Sequence, residues 1–155
     1  MRMNLDEVKA YIQSASKTSK IYIGCDSERF IRDEKWYADY ASVVVVHIDG
    51  KHGCKIFGDM TRELDYDRKV GKPALRLMNE AYKVQELYMK LQDAIGDRFC
   101  ELHLDINPDE RYGSSCVVTQ AIGYIIGTCN IEPKVKPFAF AASIAADRYK
   151  GLVAA

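Results

Sequence analysis

Four acids far apart in the chain, Asp26, Glu80, Asp105 and Asp147, have sequence surroundings that point to chemistry. Asp26 ends the apolar run Ile21-Tyr22-Ile23-Gly24-Cys25. Strand alternation puts Tyr22, Gly24 and Asp26 on one side of that run and Ile21, Ile23 and Cys25 on the other. Gly24 leaves space beside Asp26 for a ligand or another stretch of backbone. A carboxylate at the tip of a buried strand needs a partner, because burying it unpaired is costly. A second apolar run, from Phe99 to Ile106, carries Asp105 at its end in the same way. Hard divalent cations take carboxylate oxygens, and acids crowd together when a cation stands between them. The expectation is that the four acids meet around Mg²⁺ or Mn²⁺. Two such ions about 3.5–4 Å apart suit phosphodiester hydrolysis, one activating water and the other holding the departing oxygen. Against this stands the ordinary reading of each acid as a surface or salt-bridged group, since Asp and Glu number 22.

Other side chains have two readings each. His103 shares a strand face with Asp105 and either touches substrate or is a satisfied sheet histidine. Ser27 either assists the site or forms a turn. Lys134 and Lys136 alternate on one face of an extended segment and either contact phosphate or are solvated edge lysines. His47, His52 and Cys54 cluster near a hairpin but show no fourth zinc ligand. The charged stretch Gly58 to Lys72 reads as a loop, either a solvated linker or a cover for nucleic acid. No phosphate-cradling glycine loop, Ser-His-Asp order or dinucleotide fingerprint is present.

Composition narrows the classes. Lys+Arg and Asp+Glu balance at 22 each, which argues against a strong global field for nucleic acid and leaves only a local basic patch. The five cysteines are scattered without C-x-x-C spacing and read as reduced core residues rather than disulfides. No apolar run approaches the roughly 20 residues of a membrane span, and MRMNLDEVKA lacks the apolar core of a signal peptide. A cytoplasmic protein without membrane association is expected. At 155 residues the chain reads as one domain, with residues 1–19 an N-terminal helix and linker and 20–150 the core.

The elements that must position the acids follow from periodicity. Asn4 caps a predicted helix from Leu5 to Ser16. Strands are predicted at Ile21–Asp26, at Trp36–Ile48 with its run Val43 to Val46, and at Cys54–Phe57, with Asp49-Gly50 as a hairpin signal. Ser27 to Lys35 reads as a turn. A long helix is predicted from Pro73 to Ile95, a strand over Phe99–Ile106, a helix over Ser114–Ile126 ended by Gly127, and a strand over Ile131–Lys136. A final alanine-rich helix follows Pro137 and ends near Asp147 or beyond. The order β-β-β-α-β-α-β-α implies an α/β fold with a mixed five-stranded sheet, helices on its faces and an extra helix in front. Ligands in such sheets gather at strand carboxyl ends, where Asp26 and Asp105 are expected.

That order resembles the ribonuclease H-like fold, and short motifs narrow the resemblance. Ile23-Gly24-Cys25-Asp26-Ser27 resembles I-G-T-D-S, and His103-Leu104-Asp105-Ile106-Asn107-Pro108 resembles H-x-D-x-N-P. Lys136-Pro137, Ala141-Ala142-Ser143 and Ala146-Asp147-Arg148 resemble K-P, A-A-S and A-D-R. Together, over roughly Ile21 to Tyr149, they are similar to the bacterial YkuK-type family of ribonuclease H-like proteins, whose function is poorly defined. Cys25 departs from the usual threonine, and Glu28 stands where glutamine is common. The resemblance implies a first-strand Asp, a helix Glu, a fourth-strand Asp and a last-helix acid as metal ligands and catalytic groups. Carried over, these are Asp26, Glu80, Asp105 and Asp147. Glu86 competes with Glu80 on the same helix, and Ser143 competes with Asp147 as the site-facing position. Ser27, His103, Lys136 and Ser143 are the candidate substrate contacts. The implied activity is divalent-metal-dependent hydrolysis of RNA, RNA–DNA hybrid or structured DNA. The alternative is a noncatalytic scaffold that binds nucleic acid or protein.

Overall fold

A computed structural model describes residues 2–66, 74–107, 109, 117–146 and 148–150. Helix α1 spans Leu5–Ser14, and the Asn4 side chain accepts the Glu7 N–H at 3.2 Å, which fixes where it starts. Strands β1 (Lys20–Arg32), β2 (Lys35–His47) and β3 (Cys54–Leu64) form an antiparallel meander. Helix α2 (Ala74–Ile95) then crosses over to β4 (Phe99–Leu104), which pairs parallel with β1. Helix α3 (Val118–Cys129) follows, and the described chain closes on a π-helical turn, Ala141–Ala145. The sheet order is β3-β2-β1-β4.

Both faces of the sheet are covered, as the valine run predicts. Val44 and Val46 join Ile21, Ile23, Leu102 and Leu104 in the main core beneath α1 and α2. Val43 and Val45 turn the other way, into a smaller core with Ala41, Ala141, Ala145 and Ala146. The alanine-rich segment is small-sided because it lies directly on the sheet. A Cβ at Gly24 would stand 2.6 Å from the Ala142 nitrogen and 2.7 Å from the Ala141 carbonyl carbon. The space at Gly24 therefore admits another backbone rather than a ligand, which is one of the two uses its position suggests. A Cβ at Gly58 would collide with the Tyr149 ring.

Four expectations are corrected among the described residues. The sheet has four strands, not five. The predicted strand Ile131–Lys136 runs beside β4 but makes only an isolated parallel bridge, His103 with Lys134. Lys134 exchanges backbone bonds with Leu102 and Leu104, and the Lys136 N–H reaches the Ile106 carbonyl beyond the end of β4, too few pairs for a fifth strand. Second, the predicted turn Ser27–Lys35 is mostly strand: β1 continues to Arg32 and reverses at Asp33-Glu34, both at positive φ (52° and 65°). A two-residue turn needs that geometry, but the usual asparagine and glycine signals are absent here. Third, Gly58–Leu64 of the predicted charged loop is the second half of β3, because alternating charge on an edge strand looks like a loop in sequence. Fourth, α3 passes through Gly127 to Cys129 and is closed by Asn130 in the left-handed region. Pro73, residues 114–116 and the rest of the predicted loop, 67–72, lie outside the described residues. The described cysteines, Cys25, Cys54, Cys100 and Cys129, are all free thiols.

Packing at Gly24 sets one expectation. Gly24→Ala must push strand and helical backbone apart, costing roughly 3 kcal/mol, which lowers Tm by about 6–12 °C in a chain of this size. Gly58→Ala meets only a tyrosine ring that can rotate, and costs roughly 1 kcal/mol. Thermal melts of the two variants should therefore rank Gly24→Ala as clearly the more damaging; equal shifts would contradict the close approach.

Candidate active site

Parallel register carries Asp26 and Asp105 to the same level. The last pair between β1 and β4 is Cys25 with Leu104, and the two aspartates are the next residues on each strand. Their side chains share the sheet face covered by the alanine segment and stand next to each other. Asp26 is pushed from 3.8 up to about 6, first by burial, then by the neighbouring Asp105 carboxyl. The Lys150 ammonium opposes that rise, with Nζ donating to Asp26 Oδ2 at 2.8 Å. Lys136 Nζ stands 3.0 Å from Asp105 Oδ1, an ion pair without hydrogen-bond alignment.

Glu80 reaches the same end of the strands from the opposite face. It lies on the buried side of α2, 2% exposed, and accepts from Ser27 Oγ at 2.6 Å through Oε2. Ser27 in turn accepts from Arg76 Nη1 at 2.8 Å. Burial pushes the Glu80 carboxyl well up, and the charges of Asp26 and Asp105 push it further, while Ser27 and Arg76 act the other way. Its second oxygen, Oε1, is buried with no hydrogen-bond partner among the described residues. Glu86, the competing acid on α2, is instead exposed and paired with Lys90 at 2.8 Å. Between these two acids, the fold brings Glu80 towards the aspartates.

The remaining candidates divide. His103 is fully buried, accepting from the Ala141 N–H through Nδ1 at 3.0 Å while Nε2 faces Glu101 Oε1 at 3.2 Å. That arrangement is the neutral tautomer with the proton on Nε2, and burial pulls the ring's pKa down. His103 is thus a satisfied sheet histidine that anchors the helical turn. Ser27 holds Glu80 in place, and Ser143 donates to the Ala139 carbonyl at 2.9 Å, within its own helical segment. Lys136 stands at the site, half-exposed. Asp147 lies outside the described residues. Two cations at the site were not anticipated, Lys150 and Arg76. Arg76 was visible as the residue four before Glu80 on a helix, a spacing that pairs unlike charges. Lys150 had a fainter signal, continuing the alanine stripe by one more turn.

A sequence pattern described as Ribonuclease H-like matches residues 4–150. The chain belongs to the ribonuclease H-like family. No curated protein and no solved structure matches it. Membership in this family raises the question of a divalent ion, and the donor set supplies part of an answer. Asp26 and Asp105 offer hard oxygens side by side, and Mg²⁺ commonly binds through one or two carboxylates with water and substrate phosphate filling the rest. The unpartnered Glu80 oxygen and the raised Asp26 pKa both mark negative charge short of compensation. Among the described residues no three His, Cys, Asp or Glu side chains converge tightly enough to hold an ion alone. The fit is therefore to a two-aspartate site with Glu80 behind it.

The aspartate pair carries a pH signature. The unfolded chain ionises Asp26 near 3.8, while the folded chain keeps its proton to about 6. Over that window the folded state binds more protons, so stability falls as pH rises, by about 2 pKa units at 1.4 kcal/mol each, or on the order of 3 kcal/mol. Urea unfolding between pH 4 and pH 7 should show this slope in the wild type and a flatter one in Asp26→Asn. Parallel curves would show that Asp26 does not hold its proton in the folded chain.

Proposed function

We propose that this protein is a divalent-metal-dependent phosphodiesterase acting on nucleic acid, with Asp26 and Asp105 as its cation ligands. The observation that carries the reading is the placement of these two carboxyls side by side at the end of the β1–β4 pair. Mg²⁺ or Mn²⁺ bound there would supply water activation and stabilisation of the departing oxygen. The chain's own groups do the rest. Asp26 and Asp105 fix the position at which a phosphate is received. Glu80, held by Ser27 and Arg76, stands behind them as the third acid and would add negative charge once a bound cation favours its ionised form. Lys136, half-exposed beside Asp105, is placed to meet a phosphate oxygen once its ion pair opens. Asp147 is proposed as the fourth acid, on the motif Ala146-Asp147-Arg148 alone. The motifs around Asp26 and Asp105 also support the YkuK-type branch and, with it, RNA, RNA–DNA hybrid or structured DNA as substrate. Among the described residues no helix is long and apolar enough to cross a membrane.

One observation favours the second reading, a noncatalytic scaffold that binds nucleic acid or protein. Both aspartates already face lysine ammoniums, and a divalent ion has to displace them from the same oxygens.

Cleavage assays with Mn²⁺ or Mg²⁺ on RNA, hybrid and branched DNA separate the two. Metal-dependent cleavage is expected, falling by more than about 100-fold in Asp26→Asn and Asp105→Asn, and by roughly 10–100-fold in Ser27→Ala, which frees Glu80. Activity that survives Asp26→Asn, or none on any substrate, would leave the scaffold. Competition at Asp26 gives a readout apart from turnover: Lys150→Met should bind Mn²⁺ about tenfold more tightly by calorimetry. Unchanged or weaker binding would mean that lysine and metal do not share the site.

A further inference from the structure

The strand face that ends in Asp26 and Asp105 continues backwards as a row of aromatic rings. Lys20, Tyr22 and Gly24 on β1 stand beside Phe99, Glu101 and His103 on β4, pair by pair. Tyr22 packs edge-on against Phe99 (6.0 Å) and Phe140 (4.7 Å), and Phe140 packs against His103 (5.0 Å). The outer members of this row are open to solvent: Phe138 is 72% exposed, Phe99 47% and Phe140 38%. Two exposed rings on a surface need no explanation, but three beside one strand face do.

Cations border the same row. Lys20 Nζ stands 5.1 Å from the centre of the Phe99 ring. Lys134 bridges to His103 and, with Glu101 and Phe138, lines an open cleft of about 440 Å³. Glu101, the acid on this face of β4, is turned towards His103 Nε2 at 3.2 Å. The open part of the row ends where the helical turn begins, since Ala141 and Ala142 cover Gly24 and His103. A surface of exposed rings edged by lysines suits a single-stranded nucleic acid: bases stack on the rings, and phosphates meet the ammoniums. Duplex would hide its base faces from the same rings.

We infer that Phe138, Phe99 and Phe140, with Lys134 and Lys20, form a stacking platform that binds a single-stranded segment of nucleic acid. The inference rests on the phosphodiesterase reading for its purpose, but not for its test. Stacking supplies most of the affinity, and the two lysines add a modest dependence on salt.

The test is fluorescence anisotropy of labelled 12-nucleotide oligo(dT) and oligo(U) in EDTA, so that no cleavage intervenes. The wild type should bind both and prefer them to a duplex of equal length. Phe138→Ala should weaken binding roughly 5- to 100-fold, with most of it restored by Phe138→Tyr. Ile126→Ala, at an exposed apolar residue on α3, should change nothing. Lys134→Ala should make the plot of log affinity against log salt shallower by about 0.7, one phosphate's worth. Duplex preference, absence of oligonucleotide binding, or unchanged binding by Phe138→Ala would overturn the platform. So would a dimer that Phe138→Ala dissolves with no effect on oligonucleotide binding. Cleavage abolished by Asp26→Asn but untouched by Phe138→Ala leaves the phosphodiesterase and removes the platform. Ring-dependent binding without metal-dependent cleavage on any substrate does the reverse.

Discussion

Two carboxyl groups held against each other at the ends of neighbouring parallel strands are the constraint around which this molecule is arranged. Like charges at that distance do not both ionise without a counter-charge, and burial raises the cost further. Asp26 pushed up to about 6 records the conflict directly. Every charged group near the pair makes sense as a response to it. Lys150 and Lys136 face the aspartates, and Arg76 faces the third acid, Glu80, through Ser27. Strained electrostatics of this kind concentrate at functional sites.

The fold holds the pair in place by packing from both sides. Beneath, α2 lays Glu80 and a stripe of leucines and valines against β1, β2 and β4. Above, the helical turn Ala141–Ala145 comes so close to β1 that only glycine fits at position 24. His103 ties the two layers, accepting the Ala141 N–H from within the strand that ends at Asp105. The helical segment that carries Lys150 is therefore registered to the strands that carry the aspartates. A shift of that segment by one residue would separate Lys150 from Asp26 and open the Gly24 contact together.

Much of this was legible in the chain because it rests on short-range pattern. Strand alternation assigned Asp26 and Gly24 to one face, and the valine run showed that β2 would be covered twice. The two aspartates at strand ends were visible for the same reason. What escaped depended on tertiary geometry. Asp33-Glu34 carries no turn signature, since the strand pairing rather than the residues imposes its positive φ. Gly58–Leu64 is strand because β2 offers it a ladder, against its own charged composition. The segment around Lys134 reads as β by propensity, yet it meets only the last residues of β4 and forms a single bridge. The choice between Glu80 and Glu86 was open because both lie on one helix, and only the packing angle of α2 buries the first and exposes the second. Lys150 was hidden for a related reason: its partner lies 124 residues away.

The lysines at the aspartates bear on function in a way that their mere presence does not settle. An ammonium and a divalent cation are drawn by the same negative potential, so a paired lysine is evidence for that potential whichever of them the site serves. What separates the two readings is how readily each pair opens. Lys136 is 41% exposed, so its ammonium regains most of its hydration on leaving Asp105, although the aspartate itself is only 16% exposed. Lys150 is 11% exposed and its aspartate 15%, so breaking that pair leaves both partners poorly solvated unless another charge arrives as it leaves. The asymmetry lies in the lysines, not in the aspartates. Under the proposed function, Asp105 would exchange its lysine for an incoming ion more readily than Asp26 would.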